Sequence, residues 1–334
     1  MKTPYIVAEL SGNHRGDLGR ALALIDMAAE AGVDAVKLQT YTADTMTIDH
    51  DSPDFRVSEG LWAGRTLYDL YGEANTPWEW HPALFTRAQE LGIGIFSSPF
   101  DTTAIDLLES LDVVAYKVAS FEVTDLELLR AIAATGKPVY LSTGMATRRE
   151  IEDAVEVFKD NELTVLHCVS GYPTPVTEAN LSTIQALGDW FRVPIGLSDH
   201  TLGINTALAA TAIGVSVIEK HVTLCRADGG PDAAFSLEPA ELRALVTGCR
   251  EVAAAIGLPT YGPTEAEKPM LQFRRSIYVV RDIDKGEKLT RDNIRVIRPG
   301  HGLPPSRFKG LLGTSAFRQL KRGEPLTDTC VSHK

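Results

Sequence analysis

The chain alternates between two hydrophobic periods. Eight short apolar runs, at 5–10, 35–39, 93–98, 113–120, 139–143, 164–170, 194–200 and 217–221, carry the near-continuous apolar pattern of buried strands. Between them apolar residues move to helical spacing. Leu22, Ile25 and Ala29 recur within 18–31, and further helices are predicted over 81–91, 102–111, 124–135, 147–158, 180–187, 204–213 and 239–256. Gly32, Gly92, Gly136, Gly188, Gly214 and Gly257 stand where these helices should stop, and Asp101 and Thr147 where two of them should start. Eight strand–helix units in succession predict the α/β class, with parallel strands inside and helices outside. That number favours a closed (β/α)8 TIM barrel over an open doubly wound sheet.

The rhythm is broken twice. Residues 41–80 follow the second run and are too long for an ordinary strand–helix loop. They carry Trp62, Tyr68, Tyr71, Trp78 and Trp80, which either wall a sugar on the active face or pack the insertion itself. After Pro263 the cadence stops. The predicted organisation is a barrel over 1–262, a linker over 263–275, and a small β-rich module over 276–334 with turns at Lys285-Gly286-Glu287 and Arg322-Gly323-Glu324. A module this small is marginal alone.

Nearly every apolar run ends in a polar group fit for chemistry, and strand C-termini are where such a barrel builds its active site. His200 and His221 end the seventh and eighth runs. Two neutral imidazoles from neighbouring strands suit a borderline divalent ion with positions left open to water or substrate. Lys37 and Lys117 lie inside apolar runs, where a lysine is costly unless it meets an anion. With Ser98, Ser120, Ser142 and Ser198 at other strand ends, they predict a site for a phosphate or phosphocarboxylate. Two other readings stand beside this one: Schiff-base chemistry at Lys117 or Lys220, and plain ion pairs of the lysines with Glu9 or Glu122. Glu9, Glu122, Gln39 and Asp232 are candidates for proton transfer or for hydrogen bonds to hydroxyls and amides.

Composition narrows the classes. The 334 residues carry a net charge of −11, which argues against a general nucleic-acid binder. No G-x-G-x-x-G follows the first run and no P-loop is present. No apolar stretch approaches membrane-spanning length, no secretory leader is visible, and the four cysteines lack metal-finger spacing. A cytoplasmic protein with reduced thiols is expected. The charge is uneven: residues 277–334 hold 12 Lys+Arg against 6 Asp+Glu, a basic module on an acidic body.

Taken in order, these residues resemble the sialic acid synthase family. The resemblance rests on Glu9 with Asn13-His14, Lys37-Leu38-Gln39, Ser97-Ser98-Pro99-Phe100, and Tyr116-Lys117 through Ser120-Phe121-Glu122. It continues through Leu141-Ser142-Thr143-Gly144-Met145, His167-Cys168 with Tyr172-Pro173-Thr174-Pro175, Gly196-Leu197-Ser198-Asp199-His200-Thr201, Glu219-Lys220-His221 and Gly230-Pro231-Asp232. The C-terminal module, with Arg298-Pro299-Gly300-His301-Gly302, resembles the antifreeze-like (SAF, β-clip) domain of that family. Within the insertion, Thr66-Leu67-Tyr68-Asp69-Leu70-Tyr71 and Thr76-Pro77-Trp78-Glu79-Trp80-His81 resemble the branch that makes pseudaminic acid.

The resemblance implies a transferase that condenses phosphoenolpyruvate with an acetamido-deoxyhexose, 2,4-diacetamido-2,4,6-trideoxy-L-altrose, and releases phosphate. It implies a divalent metal, Mn2+ or Mg2+, on His200 and His221, polarising the sugar's carbonyl. Phosphoenolpyruvate is expected on Lys37, Ser98, Lys117, Ser120, Ser142 and Ser198. The sugar is expected on Gln39, Glu122, Tyr172 and Asp232, with Arg298 reaching the partner subunit's barrel in a domain-swapped homodimer. Glu9 and Glu122 are the implied proton-handling groups. Ser170 stands where N-acetylneuraminate synthases typically have Asn, and His301 where Asn is common. The alternatives are the same chemistry on an N-acetylmannosamine-type sugar, yielding N-acetylneuraminate or legionaminic acid, and a non-catalytic sugar-binding barrel.

Overall fold

The computed structural model describes residues 2–331. Eight parallel strands close into a barrel in chain order: β1 (Tyr5–Glu9), β2 (Ala35–Thr40), β3 (Gly94–Pro99), β4 (Tyr116–Val118), β5 (Val139–Ser142), β6 (Leu163–Cys168), β7 (Ile195–Asp199) and β8 (Val217–His221). Closure is made by β1 on β8, with Glu9 in register with His221. The same strand pairs with β2 so that Glu9 also faces Lys37. One core runs from the barrel interior to the surrounding helices and includes Ile6, Leu24, Val36, Phe96, Tyr116, Leu141, Leu166, Ile218 and Leu245.

The helices follow the predicted spacing, with local reasons for their ends. The first, Leu18–Ala31, starts at Asp17, whose side chain accepts the Arg20 N–H, and stops at Gly32 with φ 84°. The helix Arg148–Val157 carries a capping box between Thr147 and Glu150.

Two elements depart from expectation. Strand β4 is three residues long instead of spanning 113–120. Val114 is exposed in the approach to it, and just past Val118 the chain tightens into a 3-10 turn, Ser120–Glu122. Ser120 and Glu122 therefore stand on a turn above the strand end. The helix expected to stop at Gly188 runs instead over Ser182–Phe191, and Arg192 takes the left-handed cap. Gly188 lies inside this helix, where a Cβ would make only ordinary contact with the Ile195 side chain at 3.5 Å.

The chain divides after Gly257, slightly before the expected 262. The second unit has its own small core of Ile277, Val279, Ile283, Leu289, Ile294, Leu320 and Leu326. Strands β9 (Ser276–Val279) and β10 (Ile294–Ile297) pair antiparallel within it. The stretch expected as a linker holds a 3-10 helix, Lys268–Phe273, and Gly300 N–H donates to Gln272 O at 2.9 Å. Among the described residues no helix is long and apolar enough to cross a membrane.

Candidate active site

Side chains two apart on a strand share a face. Lys37 and Gln39 are such a pair, as are Glu219 and His221, so the strand ends converge their polar groups at the barrel mouth. Four buried charges meet there. Lys37 Nζ lies 2.5 Å from Glu9 Oε2 and 3.9 Å from Glu219 Oε2. Lys117 Nζ donates to Glu219 Oε1 at 3.0 Å, and Ser198 Oγ donates to the same oxygen at 2.9 Å. Lys37 also reaches Ser98 Oγ at 3.4 Å. Glu9 Oε1 accepts from Gln39 Nε2 at 3.0 Å and from the Ser11 N–H at 3.1 Å.

The electrostatics of this cluster are uneven. Burial alone would raise the Glu219 carboxyl, but Lys117 and Lys37 outweigh it and hold it down at about 2. Burial dominates at Glu9 and pushes its carboxyl up, and the charge of Glu219 adds to that. Burial also lowers the Lys117 ammonium despite Glu219, with Lys37 contributing. Glu219 is thus the counter-ion shared by both lysines. Glu9 is the carboxyl most readily protonated, and its protonation would leave the cluster net cationic and suited to an incoming anion.

Of the ion pairs weighed from sequence, Lys37–Glu9 is present, whereas Lys117 pairs with Glu219 and not with Glu122. Lys220 is tied to Asp199 Oδ2 at 2.7 Å and to Thr201 O at 2.5 Å. As a strand neighbour of Glu219 it faces the other side of β8.

Beside the charges lies a ring cluster. Tyr172 packs tilted at 4.5 Å from His200, His200 lies 5.3 Å from His221, and Phe235 closes the group at 5.0 Å from His221. His200 Nδ1 lies 3.0 Å from Val169 O, which places an N–H on Nδ1 and leaves Nε2 as the lone-pair donor when the ring is neutral; burial would lower this imidazole, but Cys168 and the Val169 carbonyl outweigh it and raise it. Burial and the neighbouring His200 hold the His221 imidazole well below its ordinary value, so it is neutral. Its Nδ1 is buried without a hydrogen-bond partner and lies 3.9 Å from Asp232 Oδ2. An orphaned, neutral imidazole nitrogen next to a second imidazole fits a divalent ion. Among the described residues no group of three or more His, Cys, Asp or Glu is arranged around one point, so the chain would offer two imidazoles and leave the other positions to water or substrate.

Asp232 hydrogen-bonds to Ser11 Oγ, and burial raises its carboxyl to about 6. On the opposite side, Ser120 Oγ accepts the Gly144 N–H at 3.1 Å. Ser142 Oγ and Glu122 Oε2 are buried with no partner. Burial pushes Glu122 up to about 7. Cys168 Sγ sits 3.8 Å from His200 Nδ1 and 3.9 Å from Ser170 Oγ. Arg298 belongs to the second unit, where its side chain is exposed.

The insertion divides its aromatics between the two expected roles. Tyr41 packs edge-on against Tyr71 and Phe100, Trp80 against His14, and Trp78 Nε1 donates to Tyr41 O at 3.3 Å. Trp62 instead reaches the mouth, 5.6 Å from Tyr172. Sequence reasoning named Glu219 and Cys168 only within motifs and gave them no role in the site, and it missed Ser11. For Glu219 the signal was present: it is a carboxylate in an apolar strand, two residues before His221.

Residues 24–261 match the NeuB family, and residues 274–332 match the SAF domain. The chain belongs to the NeuB family. The NeuB match covers β2–β8 and so all of the barrel site except Glu9 on β1 and Ser11 in the turn after it. Among individual relatives, the chain is 43% identical to the pseudaminic acid synthase of Helicobacter pylori over 332 residues, 98% of this chain and 97% of that one. It is 36% identical to the N,N'-diacetyllegionaminic acid synthase of Campylobacter jejuni over 330 residues, 97% of this chain and 99% of that one. A crystal structure of N-acetylneuraminic acid synthetase from Leptospira borgpetersenii, in complex with citrate, is similar at 35% identity. Its TM-score is 0.73, with 82% of this chain and 92% of that chain covered.

Proposed function

We propose that this NeuB-family chain is a pseudaminic acid synthase. It condenses phosphoenolpyruvate with 2,4-diacetamido-2,4,6-trideoxy-L-altrose and releases phosphate. The observation that carries the chemistry is the buried Glu9–Lys37–Glu219–Lys117 cluster at the barrel mouth, bordered by two neutral-capable imidazoles. The higher identity to the pseudaminic than to the legionaminic relative supports the choice of sugar.

In this reading Lys37 and Lys117, with Ser98, Ser120, Ser142 and Ser198, take the phosphate and carboxylate of phosphoenolpyruvate. The unpartnered Ser142 hydroxyl is free to donate to one of those oxygens. His200 and His221 would hold a divalent cation, Mn2+ or Mg2+, which supplies Lewis-acid polarisation of a carbonyl. Carbon 3 of phosphoenolpyruvate forms the new bond to the sugar's carbonyl carbon. Water then adds at carbon 2, and phosphate departs with cleavage of its C–O bond. Glu122, with a proton affinity near neutrality and a free oxygen, is suited to give or take a proton at the developing hydroxyl or at the attacking water. Glu9 can take up a proton as the anionic substrate enters. Gln39, Tyr172 and Asp232 line the sugar side. Holding two substrates in one buried mouth supplies much of the rate by orientation.

The same reading makes the active form a domain-swapped homodimer, in which Arg298 of each second unit serves the other subunit's barrel. Exposed Phe121, Met145, Val176 and Leu202, on the loops after β4, β5, β6 and β7, suit coverage by another chain. Four free cysteines, three of them buried, suit a reducing cytoplasm.

The test is incubation with phosphoenolpyruvate, Mn2+ and each acetamido sugar, followed by phosphate and product mass. Phosphate release only with an N-acetylmannosamine-type sugar would overturn the substrate, and tight sugar binding without release would overturn the enzyme.

A further inference from the structure

Trp62 stands at the tip of a narrow turn in the insertion. Arg56 and Thr66 bridge its two arms, Val57 N–H donates to Arg65 O at 3.0 Å, and Gly64 N–H donates to Val57 O at 2.8 Å. From this tip the indole N–H donates to the carbonyl of Pro231 at 2.7 Å, a tether between positions 169 apart in sequence. Pro231 follows Gly229 and Gly230, both at positive φ (77° and 128°), and precedes Asp232. A segment entered through two such glycines has little conformational preference of its own. Near the site it is held by the Trp62 tether on one side and the Ser11–Asp232 hydrogen bond on the other, while Ser236 Oγ donates to Asp232 O at 2.7 Å and Arg20 pairs with the preceding Asp228 at 2.7 Å. The Trp62 ring also lies against Tyr172, which in turn contacts His200 and Phe235.

We propose that Trp62 is a positioning and specificity residue for the sugar. It fixes the 229–232 loop, and with it the Asp232 carboxyl, and it backs the Tyr172 ring. This rests on the reading above that the acetamido sugar lies against Tyr172 and Asp232. Trp62 makes no hydrogen bond or ring contact with Lys37, Lys117, Ser98 or Ser198, so its effect falls on one substrate and spares the other.

Two variants separate its contributions: Trp62→Phe keeps a ring and loses the N–H, and Trp62→Ala loses both. Steady-state phosphate release should show the KM for the sugar rising about 5- to 10-fold in Trp62→Phe, the effect of one lost hydrogen bond, and about 30-fold or more in Trp62→Ala. The KM for phosphoenolpyruvate should stay within about twofold, since its contacts are untouched. Selectivity for the trideoxy sugar over an N-acetylmannosamine-type sugar should fall in parallel. Amide hydrogen exchange across 229–236 should be faster in both variants, with the barrel strands unchanged. Equal rises in both KM values, or an unchanged sugar KM in Trp62→Ala, would overturn the proposal. If the wild-type protein turns over no acetamido sugar, the proposed function fails. Exchange then decides the tether by itself, and unchanged protection of 229–236 overturns it.

Discussion

Glu219 holds Lys117 at 3.0 Å with both side chains 3% exposed, and it does so from the strand position that also orients His221. One carboxylate therefore links the anion-binding lysines to the imidazole pair. Glu219→Gln would strip Lys117 of its ion-pair partner and leave Lys37 with Glu9 alone. Breaking such a buried pair should cost about 3–5 kcal/mol of stability, read by urea denaturation. Phosphoenolpyruvate KM should rise at least about tenfold as Lys117 sheds its proton. A variant as stable as the wild type, with unchanged KM, would show that the lysines do not depend on Glu219.

His200→Ala and His221→Ala should each abolish the response of turnover to added Mn2+ and lower kcat by about 100-fold or more. Calorimetric Mn2+ titration of the purified protein should show one site in the wild type and none in either variant. Retention of both the titration signal and turnover would place the ion elsewhere.

Glu122 gives a pH signature with a definite sign. Burial puts its folded-state value at about 7, against an ordinary 4.5, so the folded chain binds this proton more tightly than the unfolded one. Its contribution is complete below pH 4.5 and is lost as pH rises through 7. Glu122→Gln should remove that decline. The variant should gain on the wild type between pH 4.5 and 8 by about 2 kcal/mol, after discounting for partial exposure. Denaturation midpoints at the two pH values measure this, and parallel pH profiles would contradict it.

Gly144 keeps the β5 loop close to two site serines. A Cβ there would stand 2.7 Å from Ser120 Oγ and collide with Ser170 Oγ. Gly144→Ala should displace Ser120 and raise phosphoenolpyruvate KM by about tenfold, with sugar KM changed less. A larger effect on the sugar would move Ser120 to the other substrate.

Much of this molecule was legible from local pattern. Apolar periodicity determines where strands and helices lie, because burial on both faces of a barrel strand leaves few polar positions to confuse the reading. The same logic exposed Lys37, Lys117, His200 and His221, since charged or imidazole groups in apolar runs require a partner. Local rules misplaced one helix end. Gly188 reads as a helix stop, yet the helix continues to Phe191, and it is Arg192 that takes the left-handed cap.

The sequence by itself determined the barrel, the polar strand ends and the family to which the motifs point. Only the tertiary structure decided which charges meet. Glu219 becomes the partner of both lysines because barrel closure sets β8 across from β4 and one strand away from β2. Lys220, one residue on, is turned to Asp199 by strand alternation. It also decided that Trp62, alone among the insertion's tryptophans, bonds the β8 loop. Pairings of this kind depend on the register and curvature of a closed sheet, which no single stretch of sequence contains.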